Sequence, residues 1–324
     1  MYVWNRVFTA IFLINLAICR AQEFNYQVAG VIVSVFTPMD ANGNINLTSI
    51  PAYANYLKEN GANGVLLTSI SGEGPNLSVR EKKSVYDAWT MFARPLGLSI
   101  IIQIGGGSLP DTLELATYAN ALNVDSILVL PMAFSQPNVE ELTNIMDRIS
   151  EAAPSVPFLY YDIPQYSNVK LDMTKFFSLA LGRINMFRGL LTDFATTLEI
   201  LATNPTPNQR LFVYDYILTT GAVPNGYDSF MISISNIAPQ LYLDVIRTAQ
   251  RGNFGEARPK LLTLIKLERE ITARYNYISS MKVATELTTG IRLGNPREPL
   301  PPIPEEGRQY IRSILLKYDL SVVF

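Results

Sequence analysis

The sequence predicts an α/β chain: a (β/α)8 TIM barrel followed by a C-terminal helical appendage. Three observations carry this expectation. Eight short β-rich runs recur along the chain, each is apolar almost throughout, and helical patterns fill the gaps between them. A strand without polar alternation is buried on both faces, as in a parallel sheet covered by helices. Eight strand–helix units in about 220 residues match a closed barrel in size and order.

The runs are GVIVSVF (30–36), GVLLTSI (64–70), LSIIIQI (98–104), DSILVLP (125–131), PFLYYDI (157–163), FRGLLT (187–192), LFVYDY (211–216) and SFMISIS (229–235). SVREKKSVYDAWTMF (78–92) reads as a helix, with Ser78 and Glu81 forming a capping box and Val85, Ala88, Trp89 and Phe92 on one apolar face. Segments 108–122 and 138–152 repeat that pattern. The seventh unit is the weakest, because 217–228 holds two glycines and a proline. After Asn236 only helical patterns remain: 240–252, 256–278, 279–290 and 305–320, with a proline-rich connector at 295–304. The expected boundaries are a barrel over 28–236 and a helical extension over 237–320, packed on the barrel.

The N-terminus reads as a targeting segment. Arg6 precedes the 12-residue apolar stretch 7–18, and Cys19 and Ala21 place small residues at −3 and −1 before Gln22. This fits a cleaved secretory signal over residues 1–21, too short to span a bilayer comfortably. A secreted protein is therefore expected, with no membrane contact after cleavage. Cleavage removes the single cysteine and two arginines, leaving 24 basic against 28 acidic residues and a net charge of −4. Disulfides and thiol chemistry are then excluded. Asn46-Leu-Thr and Asn76-Leu-Ser are glycosylation acceptors compatible with secretion. The sequence has no histidine, which excludes Ser-His, Cys-His and His–metal sites. No basic run exceeds Lys82–Lys83, so no nucleic-acid footprint is visible.

Barrel chemistry belongs where strands end, and these ends form a polar mouth: Ser71 and Gly72 after the second run, Tyr161 and Asp162 in the fifth, Thr192 and Asp193 after the sixth, Asp215 in the seventh and Ser233 in the eighth. Each also has a structural reading. Tyr161 suits an amphipathic wall. Gly72 and Glu73 suit a tight loop with a helix-terminus contact, and Asp193 suits a helix cap.

FTPMDANGNIN at the first strand, SISGEG at the second, YYDIP at the fifth and SSMKVATELTTGIRLGNPREPL near the C-terminus occur in one order over roughly 28–318. Together they resemble the N-acetylneuraminate lyase and dihydrodipicolinate synthase family of class I aldolase-like barrels, the lyase branch more closely. The resemblance implies a lysine ending the sixth strand that forms a Schiff base with a 2-oxo acid. Gly189-Leu190-Leu191 stands there, so Leu191 takes the lysine's position. The resemblance also implies two hydroxyl residues before Gly-Glu. Ile70 takes the place of the proton relay, while Ser71, with Gly72 beside it, stands where a substrate carboxylate is held. Tyr161 keeps the position of the proton-shuttling tyrosine. Asp162 stands where lyases commonly carry histidine or asparagine. The sugar-contacting motif after strand seven is blurred to Tyr214-Asp215-Tyr216, and Gly-Ser after strand eight becomes Ile232-Ser233.

Three functions follow as expectations. The first is a secreted, catalytically inactive lyase-like protein that keeps a pocket for a small 2-oxo acid or sialic-acid-like ligand. The second is an aldolase or lyase of altered mechanism, with Asp162, Asp193 and Asp215 converging on Mg²⁺ or Ca²⁺. The third is an interaction barrel whose pocket is sealed by Ile70 and Leu191, with a glycan at Asn76 crowding the mouth. The sequence leaves open whether the chain is an enzyme. No cofactor or resident metal is expected, and the resemblance implies a homo-oligomer, a dimer or tetramer.

Overall fold

The computed structural model describes residues 26–203 and 209–323. The predicted signal segment lies outside these residues. The predicted runs give strands β1 (Gly30–Ser34), β2 (Gly64–Leu67), β3 (Ser99–Gly105), β4 (Ser126–Leu130), β5 (Phe158–Tyr161), β6 (Phe187–Leu191), β7 (Arg210–Leu211) and β8 (Ser229–Ile232). All neighbours pair in parallel, in the order β7-β6-β5-β4-β3-β2-β1-β8. The ring closes through a single bridge, Val213 to Phe230. The architecture is a TIM barrel with helices alternating around it.

Most strands end sooner than their apolar runs. β2 stops at Leu67 because Thr68 takes a left-handed conformation, φ +50°, which is uncommon for a β-branched residue. Its hydroxyl is held by Tyr86 Oη at 3.0 Å and donates to the Gln103 carbonyl at 3.1 Å. β7 shrinks to two residues. Gly189 allows it to approach β6 at all, since a Cβ there would overlap the Arg210 carbonyl oxygen.

Twelve helices are described: α1 (Ile50–Glu59), α2 (Val79–Ala93), α3 (Leu109–Leu122), α4 (Val139–Glu151), α5 (Pro164–Ser167), α6 (Met173–Arg183), α7 (Phe194–Ala202), α8 (Thr219–Ala222), α9 (Pro239–Gln250), α10 (Phe254–Ile271), α11 (Tyr277–Thr289) and α12 (Glu305–Lys317). The capping box at Ser78 and Glu81 forms in both directions and starts α2. Val85, Ala88 and Trp89 are buried, but Phe92 is 37% exposed, so the apolar face is one residue narrower than its spacing suggests. α9 follows β8 as the ring's own last helix and sits beside α1, where Gln240 Nε2 donates to Asn60 Oδ1 at 3.3 Å. α10, α11 and α12 follow it in the chain. The single helical pattern expected over 256–278 breaks after Ile271. Asn276 caps α11 by accepting from the Ile278 and Ser279 amides.

Strand alternation sorts the side chains into two cores. Val31, Val33, Val65, Leu67, Ile100, Ile102, Ile127, Val129, Tyr160 and Leu190 face the helices. Ile32, Leu66, Ile101, Leu128, Leu159, Leu191, Phe212 and Met231 fill the lumen, one from each stave. Tyr26 plugs the far end, its hydroxyl 2.6 Å from Ser126 Oγ at the start of β4. Among the described residues the lumen is thus packed from Tyr26 up to the strands' C-terminal mouth.

Candidate functional site

The two leucines that end β6 part company. Leu190 packs under the helices, and Leu191 turns into the lumen, 1% exposed. Above it lies a cavity of about 90 Å³ in the barrel mouth. Its walls include Ser34, Ser69, Ile70 and Ser71 from the first two units, Gln103 of β3, Tyr161, Leu191, Tyr214 and Ser233. No lysine is among the lining residues. A cavity of ~150 Å³ takes a benzene molecule, so this one admits only a small ligand.

The structure brings together Ile70, Ser71, Tyr161, Leu191 and Ser233 at this cavity. The Ser34 and Ser69 hydroxyls bond each other at 2.6 Å, and Ser69 Oγ accepts the Gly72 amide at 3.2 Å. Gly72 itself lies behind the wall, its carbonyl accepting from Thr37 Oγ1 at 2.6 Å. The Tyr161 ring meets Tyr214 edge-on at 5.5 Å. Burial and the neighbouring Tyr214 and Tyr166 push its phenol well above its ordinary value, so it stays protonated.

The three aspartates do not line the cavity. Tyr161 points inward, so Asp162, one residue on, points away. It accepts from Thr192 Oγ1 at 2.7 Å, and burial pushes it up to about 6, helped by Asp193 and opposed by the Thr192 bond. Asp193 caps α7 through the Thr196 amide at 3.0 Å. Asp215 accepts the Ile217 amide at 3.0 Å, starting a short turn. Among the described residues no three acidic, histidine or cysteine side chains gather as a metal site. The convergence that the metal-assisted alternative requires is therefore contradicted: two of its aspartates are occupied at helix or turn starts, and the third faces Thr192.

The Glu73 side chain caps no helix. Its carboxylate is fully buried 2.9 Å from Lys282 Nζ on α11, and its other oxygen accepts the Arg297 amide at 2.7 Å. Lys282 also donates to the Thr37 and Asn295 carbonyls at 3.0 and 3.2 Å. Burial pulls the Lys282 amine down and Glu73 holds it up. Lys282 is thus an internal strut, occupied on all sides and absent from the cavity wall. It escaped sequence reasoning because its partner lies 209 positions away. The Glu in SISGEG and the Lys in SSMKVATELTTG are the signal that could have paired them.

Asn46 and Asn76 both lie half-buried in loops leading to α1 and α2. Asn46 Oδ1 accepts from Thr48 Oγ1 at 2.6 Å within its own sequon. No described helix is long and apolar enough to cross a membrane.

A closed parallel barrel, a packed lumen and a small hydroxyl-lined mouth define a (β/α)8 protein with a pocket at the C-terminal ends of its strands. The sequence pattern of the dihydrodipicolinate synthetase family matches residues 27–318, and the chain belongs to that family. It is 29% identical to the N-acetylneuraminate lyase of Xenopus tropicalis over 303 residues, covering 91% of this chain and 98% of the relative. The Homo sapiens N-acetylneuraminate lyase is 27% identical over 279 residues, covering 85% and 87%. Among solved structures, the Proteus mirabilis N-acetylneuraminate lyase superposes with a TM-score of 0.84 at 28% identity, covering 90% of this chain and 99% of its own.

Proposed function

We propose that this protein is a secreted N-acetylneuraminate lyase-like barrel that has lost Schiff-base catalysis and keeps its mouth as a small-acid binding pocket. The observation that carries this reading is Leu191: a buried hydrocarbon at the end of β6, lining the cavity below Tyr161, where family chemistry begins with an amine. No change of environment gives leucine a nucleophile. Ile70 removes the proton relay on the opposite wall, so electrophile and relay are absent together. Loss of covalent catalysis by this route costs on the order of 10⁶-fold or more in rate.

What remains can bind. Ser71 and the loop amides offer donors to a carboxylate, Tyr161 offers a phenol, and Ser233 a hydroxyl. The cavity fits the acid end of a 2-oxo acid or sialic-acid-like molecule, whose tail would extend out of the mouth. Secretion of residues 22 onward, glycans at Asn46 and Asn76, and self-association as a dimer or tetramer belong to the same reading.

The test is trapping. Borohydride added with pyruvate leaves the mass of the purified protein unchanged, whereas Leu191→Lys combined with Ile70→Thr gains the reduced adduct and recovers cleavage of N-acetylneuraminate. A pyruvate-derived mass increase on the unsubstituted protein would overturn the proposal.

A further inference from the structure

Ser233 is the cavity wall's link to a carboxylate outside the cavity. Its Oγ lies 2.7 Å from Tyr277 Oη at the start of α11. Tyr277 Oη donates to Glu268 Oε1 at 3.0 Å, and Tyr216 Oη donates to Glu268 Oε2 at 2.6 Å. Glu268 stands near the end of α10, in the appendage. The appendage therefore reaches the mouth through one chain of hydrogen bonds.

The chain has a direction. An ionised carboxylate only accepts, and a phenol or alcohol has one proton to give. Burial and the Glu268 charge push both phenols far above their ordinary values, so both keep their protons. Tyr277 directs its proton to Glu268, and its oxygen is then left to accept from Ser233. Ser233 in turn directs its proton to Tyr277 and meets the cavity with lone pairs alone.

We infer that Glu268 is a positioning residue that, through Tyr277, fixes Ser233 as a hydrogen-bond acceptor, so that the mouth selects small hydroxy acids over plain 2-oxo acids. This deepens, and rests on, the reading of the mouth as a binding pocket. A hydroxy acid presents a donor hydroxyl to Ser233 while its carboxylate lies against Ser71. A 2-oxo acid presents a methyl or a carbonyl oxygen there and leaves the Ser233 lone pairs without a partner.

The groups facing Glu268 are Tyr216 and Tyr277, which hydrogen-bond to its charged form, Asp215, which repels it, and Arg269, which attracts it. Burial dominates and raises Glu268 above the usual carboxylate range. Protonated on Oε1, Glu268 donates to Tyr277 and reverses the chain, so Ser233 can then donate. Selection for hydroxy acids therefore belongs to the ionised carboxylate and fades as pH falls and Glu268 takes up a proton.

The experiment is calorimetric titration of the full chain with D-glycerate and with pyruvate at pH 7.5. Glycerate is expected to bind about tenfold more tightly, the worth of one hydrogen bond against an unpartnered acceptor. Tyr277→Phe and Glu268→Leu, which removes both acceptor oxygens, each bring the ratio to within about threefold, whereas Tyr216→Phe, which touches only the far oxygen of Glu268, keeps it. The ratio is the readout because general loosening of the mouth weakens both probes alike. Equal binding of the two acids by the unsubstituted protein, or an unchanged ratio in Tyr277→Phe, overturns the inference and leaves the pocket standing. Binding of neither acid overturns the pocket reading and the inference with it.

Discussion

Asp162 shows how one residue's orientation separates function from stability. It sits among polar mouth residues in the sequence, yet it faces Thr192 and away from the cavity. Its folded-state value is raised to about 6, above that of an unfolded aspartate, so the folded chain holds an extra proton between about pH 4 and pH 6. Stability then falls as pH rises through that window, because the folded state must ionise a buried group. Asp162→Asn is expected to match the parent protein in urea unfolding at pH 4. At pH 7 it should exceed it by up to about 3 kcal/mol, two pKa units' worth. An equal gain at both pH values would refute this account. At this scale Ser71, Tyr161 and Ser233 were legible because strand ends collect at the barrel mouth, while Ile70 and Leu191 were singled out by the family resemblance. The aspartates were misplaced because which side of a strand end a residue takes depends on where the strand stops.

Local signals governed the elements that sequence predicted best. Ser78 and Glu81 lie three residues apart and cap α2 within their own turn. The break between α10 and α11 was missed because Asn276 caps a helix inside a segment whose apolar pattern continues across it. The Lys282–Glu73 strut was missed for the opposite reason: nothing near either residue announces the other. It ties α11 of the appendage to the loop after β2, and Arg297 extends the tie by donating to the Gly43 and Asn76 carbonyls and pairing with Glu81 at 2.7 Å. Lys282→Met leaves a buried carboxylate unpaired and is expected to cost about 3–5 kcal/mol. Denaturant unfolding measures it, and Glu73→Gln in the same chain should return part of the loss. A double variant no better than Lys282→Met alone would show that the strut acts by packing only.

Across the whole molecule, order and period made the barrel readable, since each strand–helix unit is defined within some thirty residues. The closed barrel was readable in the count of units, but the pair that closes it, Val213 and Phe230, leaves no local trace. The secretion reading also belongs to this scale. Expression in a secreting eukaryotic host is expected to deliver a chain beginning at Gln22 to the medium, its mass lowered by N-glycan removal. An intact N-terminus on protein retained in the cell would contradict it.

The lumen gives Leu191 a second meaning. Full burial of a leucine is worth about 1.5–3 kcal/mol, and here it tops a column shared with Phe212 and Met231. An aldolase tolerates an awkward amine in an oily hole for the sake of turnover. On the proposed reading, a side chain that asks for no solvation stands in that hole, and the scaffold trades reactivity for firmness. Leu191→Lys is therefore expected to begin life softer than its parent.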